Sequence, residues 1–321
     1  TLLVLLAGHR VRGVWRTVSK TSGGALLIYY AFCAVTALWS PLPEYSLFRA
    51  LQTGSQYLAV MVALSYCKDF HEAERRVLSV SLVTLAMGML ATMKMHGFEL
   101  SLEAMHTNSY STSAAILACY CVGELAGGAW ERPGMLIIFG LAGLAGVVIG
   151  TSSASIVAAM CGSIAGVVVS RKSGLLLGAA GAGAMIVVFL VAGDVMEDML
   201  FPGKSEEQIR TLHGRTYLWQ AYTEDIKANP LAGRGFGVPA RLSAFHYTTN
   251  THNAIVAVLA GTGVLGMMLA VVAVARLARE TVASVRAHRA GAAGCTGALM
   301  AALVNSMGLP AVGEVWMAPS M

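Results

Sequence analysis

Long apolar runs alternate with short polar ones along most of this chain. The runs lie at about 1–8, 23–39, 50–67, 77–95, 112–130, 134–150, 152–169, 174–193, 252–275 and 291–309. A helix needs roughly 20 mostly apolar residues to cross the hydrocarbon core of a bilayer, and most of these runs approach that length. The pattern predicts an all-α fold, a polytopic transmembrane helical bundle of about ten spans. It predicts a single integral membrane domain over 1–321. The first run, TLLVLLAG, is too short to span and lacks a starting Met, so both ends are expected to be truncated. The alternation fails once, over residues 194–251. Charge, aromatics, glycines and histidines gather there, so a long polar loop carrying short helices is predicted, outside the hydrocarbon.

Composition supports the membrane reading. Hydrophobic residues make up 56% of the chain and charged residues only 12%, against about 25% charged in soluble domains. Most runs have no charged face, which excludes a large soluble helical protein. The net charge of +5 does not indicate nucleic acid, because the cations sit mainly in short connections. Fourteen of the 22 Lys and Arg lie in the loops 9–20, 68–76, 131–133, 171–172 and 276–289. The intervening short loops hold only Arg49 and Lys94, and the long loop holds six cations. Short basic loops face the cytoplasm, so the long loop is expected on the periplasmic or outer side. The six cysteines all lie in or beside apolar runs, so the loop has no disulfide. Small residues in GLAGLAGVVIG and GAAGAGAM suit close helix contact. Glu124, deep in a span, takes a structural reading.

Three pieces of the polar stretch carry candidate chemistry. Residues 215–228 (RTYLWQAYTEDIKA) predict a short helix closed by Asn229-Pro230, because the residue before proline avoids helical dihedrals. Arg215, Trp219, Tyr222 and Ile226 share one face of it. That face fits an interfacial amphipathic helix, or a lid whose Arg215 grips a phosphate. Next comes PLAGRGFG (230–237), with glycines at alternate positions around Arg234. No strand precedes it, so it is no dinucleotide fingerprint, and spacing alone predicts a plain surface turn. Last comes TTNTHN, with His252 and Asn253 expected in the first turn of a helix entering the membrane. The field there suits an anion and keeps imidazole neutral. A capping histidine without chemistry and a proton acceptor fit that position equally.

Together, GRTYLWQAYTEDIKANPLAGRGFG, the later THN and the span with GTGVLG resemble the O-antigen ligase and polymerase superfamily of bacterial membrane glycosyltransferases. LWSPLPEYSLFRAL (38–51) is similar to the family's tryptophan-serine-proline loop, and MHTNSYS (105–111) to its histidine-asparagine loop. TSSAS (151–155) sits where many members carry a serine-arginine pair, and Ala154 replaces that arginine. Any phosphate contact made there does not carry over. The resemblance covers about 38–274. It implies a GT-C-like bundle in the bacterial inner membrane, with the active site facing the periplasm. It implies a donor glycan on undecaprenyl diphosphate, a glycan or lipid acceptor such as lipid A-core, surrounding membrane lipids, and no cofactor or metal. By matching position it makes His252 the catalytic histidine. It makes Arg215, Arg234, Asn253, Arg49 and His106 substrate-binding residues.

The chemistry suits those side chains. An acceptor hydroxyl attacking an anomeric carbon must lose its proton as the bond forms, and neutral imidazole can take it. Guanidinium groups and a helix N-terminus stabilise the departing diphosphate. His213, His246 and His252 lack metal-ligand spacing. A polysaccharide-lipid transporter or flippase is the alternative, but inverted repeats and mid-membrane polar groups are not evident. A non-catalytic scaffold would leave His252 and Arg215 replaceable.

Overall fold

The computed structural model describes residues 15, 18–97, 108–128, 133–170, 215–242, 251 and 253–307. The apolar runs 1–8 and 174–193 lie outside them, as do His106 and His252. Every described element is helical, in agreement with the all-α expectation. In chain order these are α1 (Ser22–Val35), a 3-10 turn (Thr36–Leu38), α2 (Pro43–Leu64), α3 (Phe70–Met95), α4 (Asn108–Gly127) and α5 (Pro133–Gly150). There follow α6 (Ser153–Ser170), α7 (Arg215–Ala228), α8 (Pro239–Leu242), α9 (Ala254–Arg286) and α10 (Ala292–Ser306). Among the described residues α3, α5, α6 and α9 are long and apolar enough to cross a membrane. All six cysteines are free thiols.

Several helices run past the apolar segments that predicted them. Hydropathy reports where the membrane is, whereas propensity and capping report where a helix begins and ends. α2 starts at Pro43, with proline in the first turn and Glu44 against the helix dipole. Arg49 is therefore helical instead of in a loop. α3 starts at Phe70: Asp69 Oδ1 accepts from Glu72 N at 2.8 Å, and Glu72 Oε2 accepts from Lys68 N at 2.7 Å. α9 continues to Arg286 through most of the predicted basic loop 276–289, because ARLARETVASVR contains neither Gly nor Pro.

The chain divides into two compact units. One takes the described parts of Thr1–Ala73 and Arg210–Val282, the other those of Glu74–Ile209 and Ala283–Ala311. In the second unit α4, α6 and α10 pack against one another, and α5 packs on α4. Its core is built from Leu78, Leu85, Tyr110, Leu117, Leu136, Val147 and buried alanines. Small residues set its spacing. A Cβ at Gly162 would stand 2.6 Å from the Gly297 carbonyl oxygen, and one at Gly143 would stand 2.8 Å from Ala114 O. In the first unit, Tyr29, Cys33, Ala50, Phe236 and Val258 form one core, and Leu218, Tyr222 and Ala260 another.

Both units cap a helix with a carboxylate from elsewhere in the chain. Glu280 of α9 accepts Ser22 N at 2.6 Å and Ser22 Oγ at 2.7 Å, at the start of α1. Buried Glu124 of α4 accepts Gly291 N at 3.1 Å and Gly294 N at 2.9 Å, at the start of α10. Neither Thr21 nor Gly291 supplies a side-chain cap of its own. The carboxylates satisfy N–H groups that the first turn leaves open and meet the positive end of the dipole. This accounts for Glu124 in structural terms.

Candidate active site

The candidate chemistry of the first unit collects around a break in α9. Gly263 has φ 64° and ψ −167°, a conformation that L side chains reject, and the helix is interrupted there. An interrupted helix exposes two sets of backbone groups, and buried groups of this kind must be satisfied. The loop Pro230–Gly237 does this from both sides. Arg234 N donates to Ala260 O at 2.9 Å, and Gly235 N donates to Gly261 O at 2.8 Å. In return Val264 N donates to Pro230 O at 2.9 Å, and Leu265 N donates to Leu231 O at 3.1 Å. PLAGRGFG is thus not the plain surface turn that its spacing predicts. The glycines have a packing reason. A Cβ at Gly233 would collide with the Gly261 backbone, and one at Gly263 with the Leu231 carbonyl. Both also have positive φ.

The same loop is tied to the stretch 36–49. Phe236 N donates to Thr36 Oγ1 at 3.0 Å, and Trp39 Nε1 donates to Ala232 O at 3.1 Å. Thr36 is buried, donates to Cys33 O at 2.6 Å, and lies 3.2 Å from Ser46 Oγ. The tryptophan-serine-proline stretch and the PLAGRGFG loop therefore form one assembly, although about 190 residues separate them.

The cations are distributed around this assembly. Arg234 Nη1 pairs with Asp225 Oδ1 at 3.1 Å, both side chains partly exposed. Arg49 donates to Gln52 Oε1 at 3.2 Å from the second turn of α2, and its side chain runs past Gly237. Arg241, which sequence reasoning had not singled out, donates to Tyr45 Oη at 3.1 Å, its guanidinium carbon 5.3 Å from the centre of that ring. Arg215 opens α7, and only its backbone is described.

The predicted aromatic face of α7 is turned toward protein rather than lying on the membrane. Tyr222 is buried with Leu218 and Ala260, and Ile226 and Val256 pack beside them. Trp219 Nε1 donates to Thr251 O at 2.9 Å. Thr251 is buried, and its hydroxyl donates to Asn253 O at 3.0 Å. The α9 start differs from expectation by one residue. The first helical residue is Ala254, and Asn253 is the cap: its Oδ1 accepts Ile255 N at 2.9 Å and Val256 N at 3.2 Å. Asn253 is therefore not in the first turn. His252 lies outside the described residues, between two residues whose partners are defined.

TSSAS is committed to helix packing in the second unit. Ser155 and Ser111 hydroxyls lie 3.0 Å apart, and Asn305 Nδ2 donates to Thr112 Oγ1 at 2.9 Å and Ser155 Oγ at 3.3 Å.

Residues 137–271 match the family described as O-antigen ligase. Over this segment the chain is similar to the O-antigen ligase family. No curated protein matches the chain. The matched segment contains α7, the loop Pro230–Gly237 and α9 through its break, and it stops short of α1 and α2. The family and the apolar helices together make this an integral membrane protein, of a glycosyl-transferring, polysaccharide-building class. The family implies a lipid-linked glycan donor and an acceptor.

Proposed function

We propose that the protein moves a glycan from undecaprenyl diphosphate onto an acceptor at the periplasmic face of the bacterial inner membrane. The acceptor is lipid A-core for a ligase or a growing polysaccharide for a polymerase. The observation that carries this reading is the assembly at the α9 break. Within the family segment, the loop bearing Arg234, the helix headed by Arg215 and the α9 start lie in one unit. Outward placement of the long loop rests on the excess of Lys and Arg in the alternate short loops.

In the proposed step an acceptor hydroxyl oxygen bonds to the anomeric carbon, and the carbon–oxygen bond to the diphosphate breaks. His252 takes the hydroxyl proton as general base. Undecaprenyl diphosphate leaves with the bonding electron pair. Arg215, Arg234 and Arg49 bind its negative charge, with planar forks suited to phosphate oxygens. Asn253, whose Oδ1 caps α9, is the further substrate-binding residue of this unit. Guanidinium groups do the charge stabilisation here, so the step needs no metal.

The test is transfer by purified protein from a labelled lipid-linked glycan to a defined acceptor, with a chelator present. Labelled product is expected. An intact donor after incubation with correctly inserted protein, or product that disappears with the chelator, contradicts the proposal.

A further inference from the structure

A general base works only within about 2.6–3.2 Å of the proton it removes, and a displacement near 1 Å can cost about 10²-fold in rate. The backbone on both sides of position 252 is held to match such a demand. Downstream, Asn253 O accepts both Ala257 N at 2.9 Å and Thr251 Oγ1 at 3.0 Å, while Asn253 Oδ1 caps the helix. Upstream, the Thr251 carbonyl accepts the Trp219 indole N–H at 2.9 Å. Thr251 is only 1% exposed, so water has little access to replace that donor. The indole itself stands on a fixed base, because Leu218 and Tyr222 of the same helix are buried against Ala260 of α9.

We infer that Trp219 is a positioning residue for glycan transfer, acting by holding the carbonyl of Thr251, the residue that precedes His252 in the chain. This rests on His252 being the base. Thr251 is the second member of the clamp, through its hydroxyl. Neither residue touches substrate in this account. Their removal lowers turnover and leaves donor binding alone.

Trp219→Phe removes the N–H and keeps an aromatic ring. Thr251→Val removes the hydroxyl and keeps the shape. Each is expected to lower kcat about tenfold to a hundredfold, with donor KM within twofold of wild type. The double variant is expected to lose much less than the product of the two losses, since both bonds hold Thr251. The deciding measurement places each change in a His252→Ala background. A positioning role predicts that residual transfer there does not fall further, whereas a general structural role predicts the same loss again. Thr251→Val carries the test alone if Trp219→Phe fails to insert. Wild-type kcat in both single variants, or an undiminished loss in the His252→Ala background, overturns the inference. A fully active His252→Ala protein instead overturns the proposed function on which it rests.

Discussion

At the α9 break and within the bundle of α4, α5, α6 and α10, glycine serves opposite purposes. In the second, Gly143, Gly162 and Gly297 sit in regular helices and act by lacking a side chain, so that backbones approach within contact distance. In the first, Gly233 and Gly263 have positive φ, so they act through conformation as well as size. One set builds a packed bundle. The other opens a helix and lets a loop bond into the gap. Polar groups also differ between these two places. Ser111, Thr112, Ser155 and Asn305 bond among themselves. Around the α9 break Arg234 keeps 35% exposure and Arg241 is exposed.

Substitution at the two kinds of glycine is the strongest way to break this comparison. Gly263→Val meets a forbidden backbone conformation, costing about 1–3 kcal/mol, together with collision against Leu231. It is expected to abolish transfer, while the protein still inserts, as read by protease protection of membranes. Gly162→Ala is expected to cost about 1–3 kcal/mol through overpacking. The readout is a lower thermal midpoint with normal kcat and donor KM per folded molecule. Reversed outcomes, with transfer lost at Gly162 and retained at Gly263, would erase the distinction.

The caps sharpen it further. Glu124→Ala leaves the Gly291 and Gly294 N–H groups without their acceptor in a buried setting, a loss of about 1–3 kcal/mol. It is expected to lower the thermal midpoint and leave kcat unchanged. The smallest effect belongs to Asp225→Ala. Its ion pair with Arg234 is partly exposed, so stability should change by less than about 1 kcal/mol. Donor KM is the informative readout, because Arg234 loses the carboxylate that orients it. An unchanged KM there would argue against a substrate role for Arg234.

The sequence alone made the helical class legible, because apolar runs of membrane length allow little else. It also located α7 at 215–228, where proline closes the pattern, as observed. The helical continuation of α9 to Arg286 escaped it, since charged helix and charged loop look alike to hydropathy. The docking of PLAGRGFG escaped it too. Backbone bonds between residues about 30 apart leave no local pattern, and GTGVLG reads as an ordinary piece of a span. Paired glycines at 233 and 263, both in otherwise orderly stretches, were the available signal. The indole of Trp219 fitted a lipid-facing aromatic equally well until its partner, Thr251 O, was placed.

Transfer rate as a function of pH in His252→Ala tests the central claim most directly, with His246→Ala as the matched control. General-base help is worth about 10²–10⁴-fold, so His252→Ala should lose that much turnover while donor binding persists. The wild-type rate should fall as pH drops through the imidazole pKa, about 6.5 for an unperturbed side chain, because the protonated form cannot accept the acceptor's proton. His246→Ala should keep both the rate and that profile. Near-normal turnover in His252→Ala, with the acid limb of the profile intact, would contradict the account and remove this histidine from the reaction.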